Sequence, residues 1–454
     1  MKDEKNNLTK SPFKFYNFLK DKFSSLNEII REDLKLPLVK RASHMIIGTG
    51  IQSVLTFLFW IIAARFFDPS IVGLTTALFS VLGIFAIIAE LGFGMGLIRF
   101  LPGAGERQNA LINTCFTISG LFSSFIAIVF IIGLPVWGES FIPLFSSPVF
   151  CFLFIVFSVF LTITPLLNNI FLSKRMTKFI VYSTTITCVT RIGLLFVIIF
   201  FSPDVFGLFF ISFLSTFLGI FIGISVFLRE VMPLFRLFPT IHTELLQEIR
   251  NFTAVNYISR LLISITPLMY PLMIVNTLGS AMNAYFAMSW TIVSIAQIVP
   301  TSLFNAFLAE SVNENKLNKK NFKKVLALML ELLIPLTILL IVLSSFILSV
   351  FGPTYSEQGT PLVRILALSI IPWGIIYLFV TVERYKKSTM SIIYTTLGAA
   401  VLSIGLGYLF MVNWGLFGLG FGYLTGQVIV AVIAGILMWR MMIQDQLDKT
   451  DSSG

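Results

Sequence analysis

Residues 325–351 read VLALMLELLIPLTILLIVLSSFILSVF, an apolar stretch with one charged residue, Glu331. The hydrocarbon core of a bilayer is about 30 Å thick, and a helix needs roughly 20 apolar residues to cross it. This stretch is therefore predicted to span a membrane. The whole chain is similarly apolar, because 56% of the 454 residues are hydrophobic and only 12% are charged. Soluble domains carry about a quarter charged residues, so the composition excludes an ordinary soluble protein.

Eleven further stretches of this kind are separated by polar or Gly/Pro-rich connections, and together they predict an all-α, polytopic membrane protein with 12 transmembrane helices. The predicted spans are 43–66, 71–98, 110–135, 148–172, 178–202, 205–228, 251–276, 281–308, 325–351, 362–383, 389–412 and 414–439.

The positions of Lys and Arg predict an orientation. Of the 32 basic residues, 28 lie in the amino-terminal segment, in alternate connections and in the tail, and the other six connections contain none. Cytoplasmic connections are enriched in Lys and Arg, so both termini are predicted to be cytoplasmic in a multi-pass protein of the cell (inner) membrane. The basic residues behind the net charge of +10 are thus explained by the orientation of the protein in the membrane, and no nucleic-acid partner is predicted.

The two halves of the chain resemble each other at a shift of about 212 residues, for example 173–184 with 385–396. Two six-span units enter the membrane in the same direction, which favours two parallel lobes with a transport site between them. An inert duplication is the alternative.

The predicted segments are 1–42, a cytoplasmic segment that is either an interfacial amphipathic helix or a mobile tail; 43–228, the first lobe with helices 1–6; 229–250, a cytoplasmic linker; 251–440, the second lobe with helices 7–12; and 441–454, a cytoplasmic tail. Glycines at four-residue spacing predict close helix packing in the sixth and twelfth spans, namely Gly219, Gly223, Gly418, Gly422 and Gly426.

Four arginines remain inside the predicted spans, where a charge usually faces a protein interior or a watery cavity. Arg260 lies near the midplane and Arg191 slightly toward the outer half, whereas Arg65 and Arg364 lie near outer ends and could snorkel to the interface. Guanidinium groups bind phosphates in forked, charge-assisted pairs, so the excess positive charge favours a phosphate or pyrophosphate ligand.

Polar and aromatic residues near Arg260 extend the predicted binding site to Asn256, Tyr257 and Tyr285, although aromatic residues at helical spacing more often serve packing. Glu90 and Glu331 are candidates either for charge pairing with an arginine or for proton coupling. The three Cys have no metal-ligand spacing, the outer connections are short, and no acidic DxD pair is present, so no catalytic residue, metal or cofactor is predicted.

The segments AARFFDP (63–69), VGL (72–74) and LGFGMGLIRFLP (91–102) resemble the opening of the oligosaccharide flippase family. That family includes O-antigen and teichoic-acid repeat-unit exporters, within the multidrug/oligosaccharidyl-lipid/polysaccharide exporter superfamily. The resemblance implies a V-shaped, MATE-like bundle of two six-helix lobes, with helices 1, 2, 7 and 8 lining a cavity. It also implies transport of a polyprenyl-pyrophosphate-linked oligosaccharide from the inner to the outer leaflet, for cell-surface polysaccharides such as lipopolysaccharide. Membrane lipids, H+ or Na+, and polysaccharide-assembly proteins are the further partners implied.

The resulting hypothesis is a flippase, not an enzyme, in which Arg260 with Arg65 or Arg191 holds the pyrophosphate while the sugar occupies the cavity. The alternative is a MATE-like, cation-coupled antiporter of small organic ions. The first span carries no acidic residue of the kind that many MATE antiporters use, which weakens that alternative. A membrane glycosyltransferase is disfavoured because the sequence has no acidic DxD pair and no long outer loop.

Overall fold

The computed structural model describes residues 37–451 except 202, 314–318 and 387, and in this part of the chain every regular element is helical. The predicted amphipathic segment before residue 37 lies outside the described residues. We number the longer helices α1 Pro37–Phe66, α2 Pro69–Ala89, α3 Phe93–Phe100, α4 Gln108–Ile132, α5 Pro148–Ser173, α6 Thr177–Phe201, α7 Val205–Ile222, α8 Thr243–Thr277, α9 Ser280–Ala296, α10 Ile298–Asn313, α11 Lys319–Ser349, α12 Pro353–Leu368, α13 Ile370–Tyr385 and α14 Thr389–Asp451.

Helix starts follow from local chemistry, as α2 illustrates. The Asp68 carboxylate accepts a hydrogen bond from the backbone N–H of Ser70 at 2.8 Å, and Pro69 occupies the first helical position. An acidic N-cap satisfies an otherwise unpaired N–H, and proline is already shaped for that position. The hydrogen bonds from the Ser70 hydroxyl and N–H lower the pKa of Asp68 from its usual value. The break between α1 and α2 is thus encoded by three adjacent residues.

Ten helical segments of the described residues are long and apolar enough to cross a membrane. A further crossing consists of α9 and α10, which are separated at Gln297. The long α14 also contains two crossings, because Trp414 and Gly415 are non-helical and Gly415 has φ of 60°. The all-α polytopic fold is therefore confirmed, and the helices of the described residues account for twelve crossings.

The two arms of α14 run antiparallel and touch through their backbones. A Cβ atom on Gly418 would lie 2.0 Å from the Phe410 carbonyl oxygen, and one on Gly422 would lie 2.4 Å from that of Leu406. Farther along the same contact, a Cβ on Gly426 would lie 2.7 Å from the Ser403 nitrogen. No side chain fits there without separating the arms, so the close packing predicted from these glycines is confirmed.

The repeat is visible in the helix boundaries. Pro69 and Ser280, the first residues of α2 and α9, are 211 positions apart, and Thr177 and Thr389, which begin α6 and α14, are 212 apart. The corresponding helices α2 and α9 are each followed by a break and a second, shorter helix. The equivalent parts of the halves therefore share boundaries as well as residues.

Two connections differ from expectation. The predicted outer connection at 352–361 is mostly helical, because α12 begins at Pro353. The predicted linker 229–250 already contains the start of α8 at Thr243, and its extended part is bound to α4. There the Asn109 and Asn113 side chains donate hydrogen bonds to the carbonyl oxygens of Leu234 and Arg236 at 3.0 and 2.9 Å. Hydropathy locates apolar stretches. It does not detect helices that continue beyond the membrane, and it does not detect side chains that bind a linker.

Candidate site between the two halves

The two halves meet where α2 packs against α8 and α9, and at one end the contact is sealed by backbone. A Cβ atom on Gly73 of α2 would lie 1.7 Å from the carbonyl oxygen of Ser280 in α9. The buried side chain of Asn283 donates hydrogen bonds to the Gly73 carbonyl at 2.7 Å and to the Thr76 hydroxyl at 3.0 Å. A buried amide bound in this way fixes the register of the two helices. This end carries the α1–α2 and α8–α9 turns and is the predicted outer end.

Arg65 joins the same end of α1 to the second half. Its Nε donates to the carbonyl oxygen of Val350 and its Nη2 to that of Ser349, both at 2.7 Å. The side chain of Asn276 likewise reaches across, donating to the Trp137 carbonyl at 2.8 Å. Charge-assisted bonds to the unpaired carbonyls at a helix end are favourable, and here they tie α1 to the end of α11.

At the other end of α2 the helix is broken. Leu91 and Gly92 have φ of 51° and 77°, and α3 restarts at Phe93. A left-handed leucine costs roughly 1–2 kcal/mol. Room for the side chains packed at this break comes from Gly94, since a Cβ there would lie 2.1 Å from Glu90 Oε1 and 2.2 Å from Asn169 Nδ2. The break therefore places a carboxylate inside the protein, beside the second half.

Glu90 pairs with Arg260 of α8. The distance from Arg260 Nη1 to Glu90 Oε1 is 3.0 Å, and the Glu90 side chain is 3% exposed whereas that of Arg260 is 48% exposed. One turn earlier on α8, the Tyr257 hydroxyl donates to the carbonyl oxygen of Ile88 at 2.8 Å. Arg260 and Tyr257 thus both hold the broken end of α2, and about half of the arginine side chain stays accessible.

The remaining predicted residues lie elsewhere. Arg65 lies just before the α1–α2 turn, whereas Arg260 pairs with Glu90 just after the last residue of α2. The 21 residues of α2 span about 31 Å, so the structure does not bring these arginines together. Arg191 lies 5.5 Å above the Phe59 ring and 3.5 Å from the Ser215 hydroxyl, within the first half. Tyr285 is buried edge-to-face on Tyr355 at 5.2 Å.

The last two predicted residues are Glu331 and Asn256. Glu331 is exposed on α11 and makes no ion pair with the side chains that the structure describes, and the side chain of Asn256 lies outside the described residues. In the same described part, no cluster of His, Cys, Asp and Glu is arranged to hold a metal ion.

A cavity inside the second half, with a mostly apolar lining and a few polar side chains, was not predicted from the sequence. Its volume is about 140 Å³, and Thr266, Trp290, Gln297, Tyr423 and Gln427 are among the residues that line it. Gln427 is 5% exposed, and its Oε1 has no hydrogen-bond partner in the described part of the chain. The sequence signal for this cavity was Gln427, a glutamine within an apolar span.

A bundle of twelve crossings, built from two repeated halves with a charged pair between them, defines a membrane transporter fold. Residues 38–274 match the family described as polysaccharide biosynthesis protein. The match covers more than half of the chain, and the chain belongs to this family. The flippase-family resemblance seen in the sequence is thereby confirmed.

Solved structures show the same fold at low identity. The inward-facing conformation of a multidrug resistance MATE family transporter is 16% identical over 89% of this chain and 99% of its own, with a TM-score of 0.66. The outward-facing conformation of such a transporter has a TM-score of 0.59 at 16% identity, covering 90% and 96% of the two chains. A MOP superfamily transporter from Pyrococcus furiosus, noted for reverse polarity of its binding pocket, scores 0.59 at 14% identity over 90% and 95%. No curated protein matches the chain.

Proposed function

We propose that the protein is a flippase that carries a polyprenyl-pyrophosphate-linked oligosaccharide from the inner to the outer leaflet of the cytoplasmic membrane. The single observation that carries this proposal is Arg260, an accessible guanidinium in the boundary between two transporter halves. Membership in a polysaccharide biosynthesis family supports a sugar cargo, such as an O-antigen unit of lipopolysaccharide. Transport breaks no bond, so the mechanism uses no catalytic residue.

In this mechanism the pyrophosphate replaces the Glu90 carboxylate on Arg260. Arginine binds phosphate oxygens through two parallel N–H groups, and the accessible half of its side chain leaves room for the approach of a ligand. Tyr257 and Asn256 lie within four residues of Arg260 on α8 and are assigned to the sugar-proximal part of the same ligand. The prenyl chain remains among membrane lipids, and polysaccharide-assembly proteins receive the product on the outer side.

Exchange of the arginine's partner couples binding to movement. A ligand shifts a two-state equilibrium only when it binds one state better than the other. The Glu90–Arg260 pair joins α2 to α8, so a ligand that displaces Glu90 weakens a contact between the halves. A proton on Glu90 would weaken the same contact. We therefore assign coupling to H+ and not to Na+, and we assign it to Glu90 and not to the exposed Glu331. Arg191 and Tyr285 are assigned to helix packing that supports the motion.

The test is translocation of a fluorescent lipid-linked oligosaccharide in reconstituted vesicles. Arg260→Gln should lower the rate at least about tenfold, since a charge-assisted contact to the phosphate is lost. The matched control is Arg384→Gln, because Arg384 is an exposed arginine on α13 that contacts the ring of Tyr377. Undiminished transport by Arg260→Gln would overturn the assigned role of Arg260. If the wild type exports soluble organic ions but leaves lipid-linked sugar in place, the flippase proposal itself is wrong.

A further inference from the structure

A second group of arginines and hydroxyls surrounds a pocket of about 590 Å³ where α1 ends and α12 begins. The two charged arginines come from different halves, Arg65 from α1 and Arg364 from α12. Other polar residues that line the pocket include Ser345, Ser356, Glu357 and Thr360.

One face of α12 supplies the floor of this pocket. Ser356, Thr360 and Arg364 follow each other at four-residue spacing, so they lie one above another on the helix. The Ser356 hydroxyl is 3.0 Å from that of Ser345 on α11, which aligns a second hydroxyl with the same face. A polar stripe of this kind is costly against lipid hydrocarbon and is expected to face water or a polar ligand.

Both arginines retain hydrogen-bond donors. Arg65 uses Nε and Nη2 for the carbonyl oxygens at the end of α11, and its Nη1 has no partner among the described residues. Arg364 makes one long contact, from Nε to the Ser344 hydroxyl at 3.4 Å, and in the same part of the chain its two Nη groups have none. The carboxylate of Glu357 also lines the pocket without an ion pair to a described residue, and it leaves one net positive charge.

The length of α12 and α13 places this pocket at the level of lipid headgroups. Residues 353–385 form two consecutive helices, α12 and α13, which meet at Ser369 and together measure about 50 Å along their axes, whereas the hydrocarbon core is about 30 Å thick. Because Arg384 and Lys386 mark the predicted inner interface, the first turns of α12 extend beyond the hydrocarbon on the other side. Lipid phosphates occupy that depth.

We propose that Arg65 and Arg364 form an anion site that binds a phosphate or diphosphate group at the predicted outer surface, distinct from Arg260. The free guanidinium N–H groups of both halves donate to the phosphate oxygens, and the hydroxyls of Ser356 and Thr360 supply neutral donors. The ligand is either the headgroup of an anionic lipid or a diphosphate anion. This inference does not rest on the proposed transport activity.

The site is tested by binding, in full-length protein that carries Arg260→Gln so that the other arginine site contributes nothing. Inorganic pyrophosphate is titrated calorimetrically in detergent. Retention of phosphatidylglycerol is measured by native mass spectrometry after extraction from vesicles of phosphatidylglycerol and phosphatidylcholine. The double variant Arg65→Gln/Arg364→Gln should weaken binding of the active probe by about tenfold or more. Arg384→Gln should leave it unchanged.

Glu357→Gln removes the opposing carboxylate and should strengthen binding severalfold, a gain that misfolding cannot produce. Retention of the lipid alone identifies a headgroup site, and binding of pyrophosphate alone identifies a diphosphate site; both support the proposal. If neither probe binds, or if binding ignores Arg65, Arg364 and Glu357, the proposal is overturned.

Discussion

The Glu90–Arg260 pair is unequal, because the carboxylate is 3% exposed and the guanidinium 48% exposed. A buried charge without a partner costs far more than an exposed one, since water cannot solvate it. Removing the arginine therefore leaves the buried carboxylate without a partner, whereas removing the carboxylate leaves an arginine that water can reach. The stability of this site should depend on which partner is lost.

Arg260→Gln should lower stability by about 1–3 kcal/mol, and Glu90→Gln by less. The double variant Arg260→Gln/Glu90→Gln should be more stable than Arg260→Gln alone, because the buried Glu90 carboxylate is then replaced by a neutral amide. Thermal unfolding of the purified variants in one detergent, monitored by intrinsic fluorescence, gives the order. Equal losses for the two single variants, or a double variant less stable than both, would contradict this account of the pair.

Asp68 allows a prediction about pH. Its pKa is lowered by the hydrogen bonds from Ser70, so folding favours the carboxylate. The stabilisation is fully present above the unfolded pKa of about 3.9 and is lost as the pH falls through the folded pKa. Asp68→Ala should thus cost about 1 kcal/mol at neutral pH, as for other N-caps, with a difference that shrinks in acid. Melting curves for wild type and Asp68→Ala across that range measure it, with Asp68→Asn expected to stay near the wild type; a constant difference would refute it.

At the scale of elements, the sequence predicted what apolar length and small residues can encode. The spans and the glycine contacts of α14 follow from bilayer thickness and from the absence of a side chain. The break after α2 was not predictable in the same way, because Leu91 disfavours the left-handed conformation that it adopts. Tertiary contacts around Glu90 and Asn169 override its local preference. Propensity alone contains no information about such partners.

The α14 contact gives a matched pair of substitutions. Gly422→Ala places a Cβ 2.4 Å from the Leu406 carbonyl oxygen, whereas a Cβ on Gly405 of the same helix meets nothing within 4 Å. Gly422→Ala should therefore destabilise the protein by about 1–3 kcal/mol. Gly405→Ala should be neutral or stabilise by up to about 1 kcal/mol, because alanine favours helix. Thermal unfolding compares the two, and equal melting temperatures would show that the arms separate without cost.

At the scale of the whole molecule, the repeat and the charge alternation predicted two related halves and an orientation. They could not predict which end joins the halves, because that depends on contacts between residues 139 to 285 positions apart. The structure locates several of those contacts, made by Gly73, Asn283, Asn276 and Arg65, at the predicted outer end. Sequence reasoning likewise selected Arg65 and Arg260 as intramembrane charges but could not tell that about 31 Å of α2 separates their sites.

A carrier that works by alternating access must open this joined end in every cycle, so a covalent link across it should stop transport. Ser140→Cys and Asn276→Cys place thiols on neighbouring segments of the two halves, since the Ser140 hydroxyl lies 3.5 Å from the Val275 carbonyl oxygen. The protein first needs Cys115, Cys151 and Cys188 replaced, so that a short bifunctional thiosulfonate reagent joins only the new pair. Lipid-linked sugar translocation should fall to background after linking and recover on reduction.

The control link lies within the first half. Lys178→Cys and Glu230→Cys replace an exposed ion pair with a 3.5 Å separation, which ties α6 to the helical residues that continue from α7 without crossing between the halves. Because rocking of rigid halves leaves this distance unchanged, the control link should preserve transport. Loss of transport in both linked proteins would indicate that motion within a half matters as well. Full transport by a completely linked Ser140→Cys/Asn276→Cys protein would exclude opening at this end.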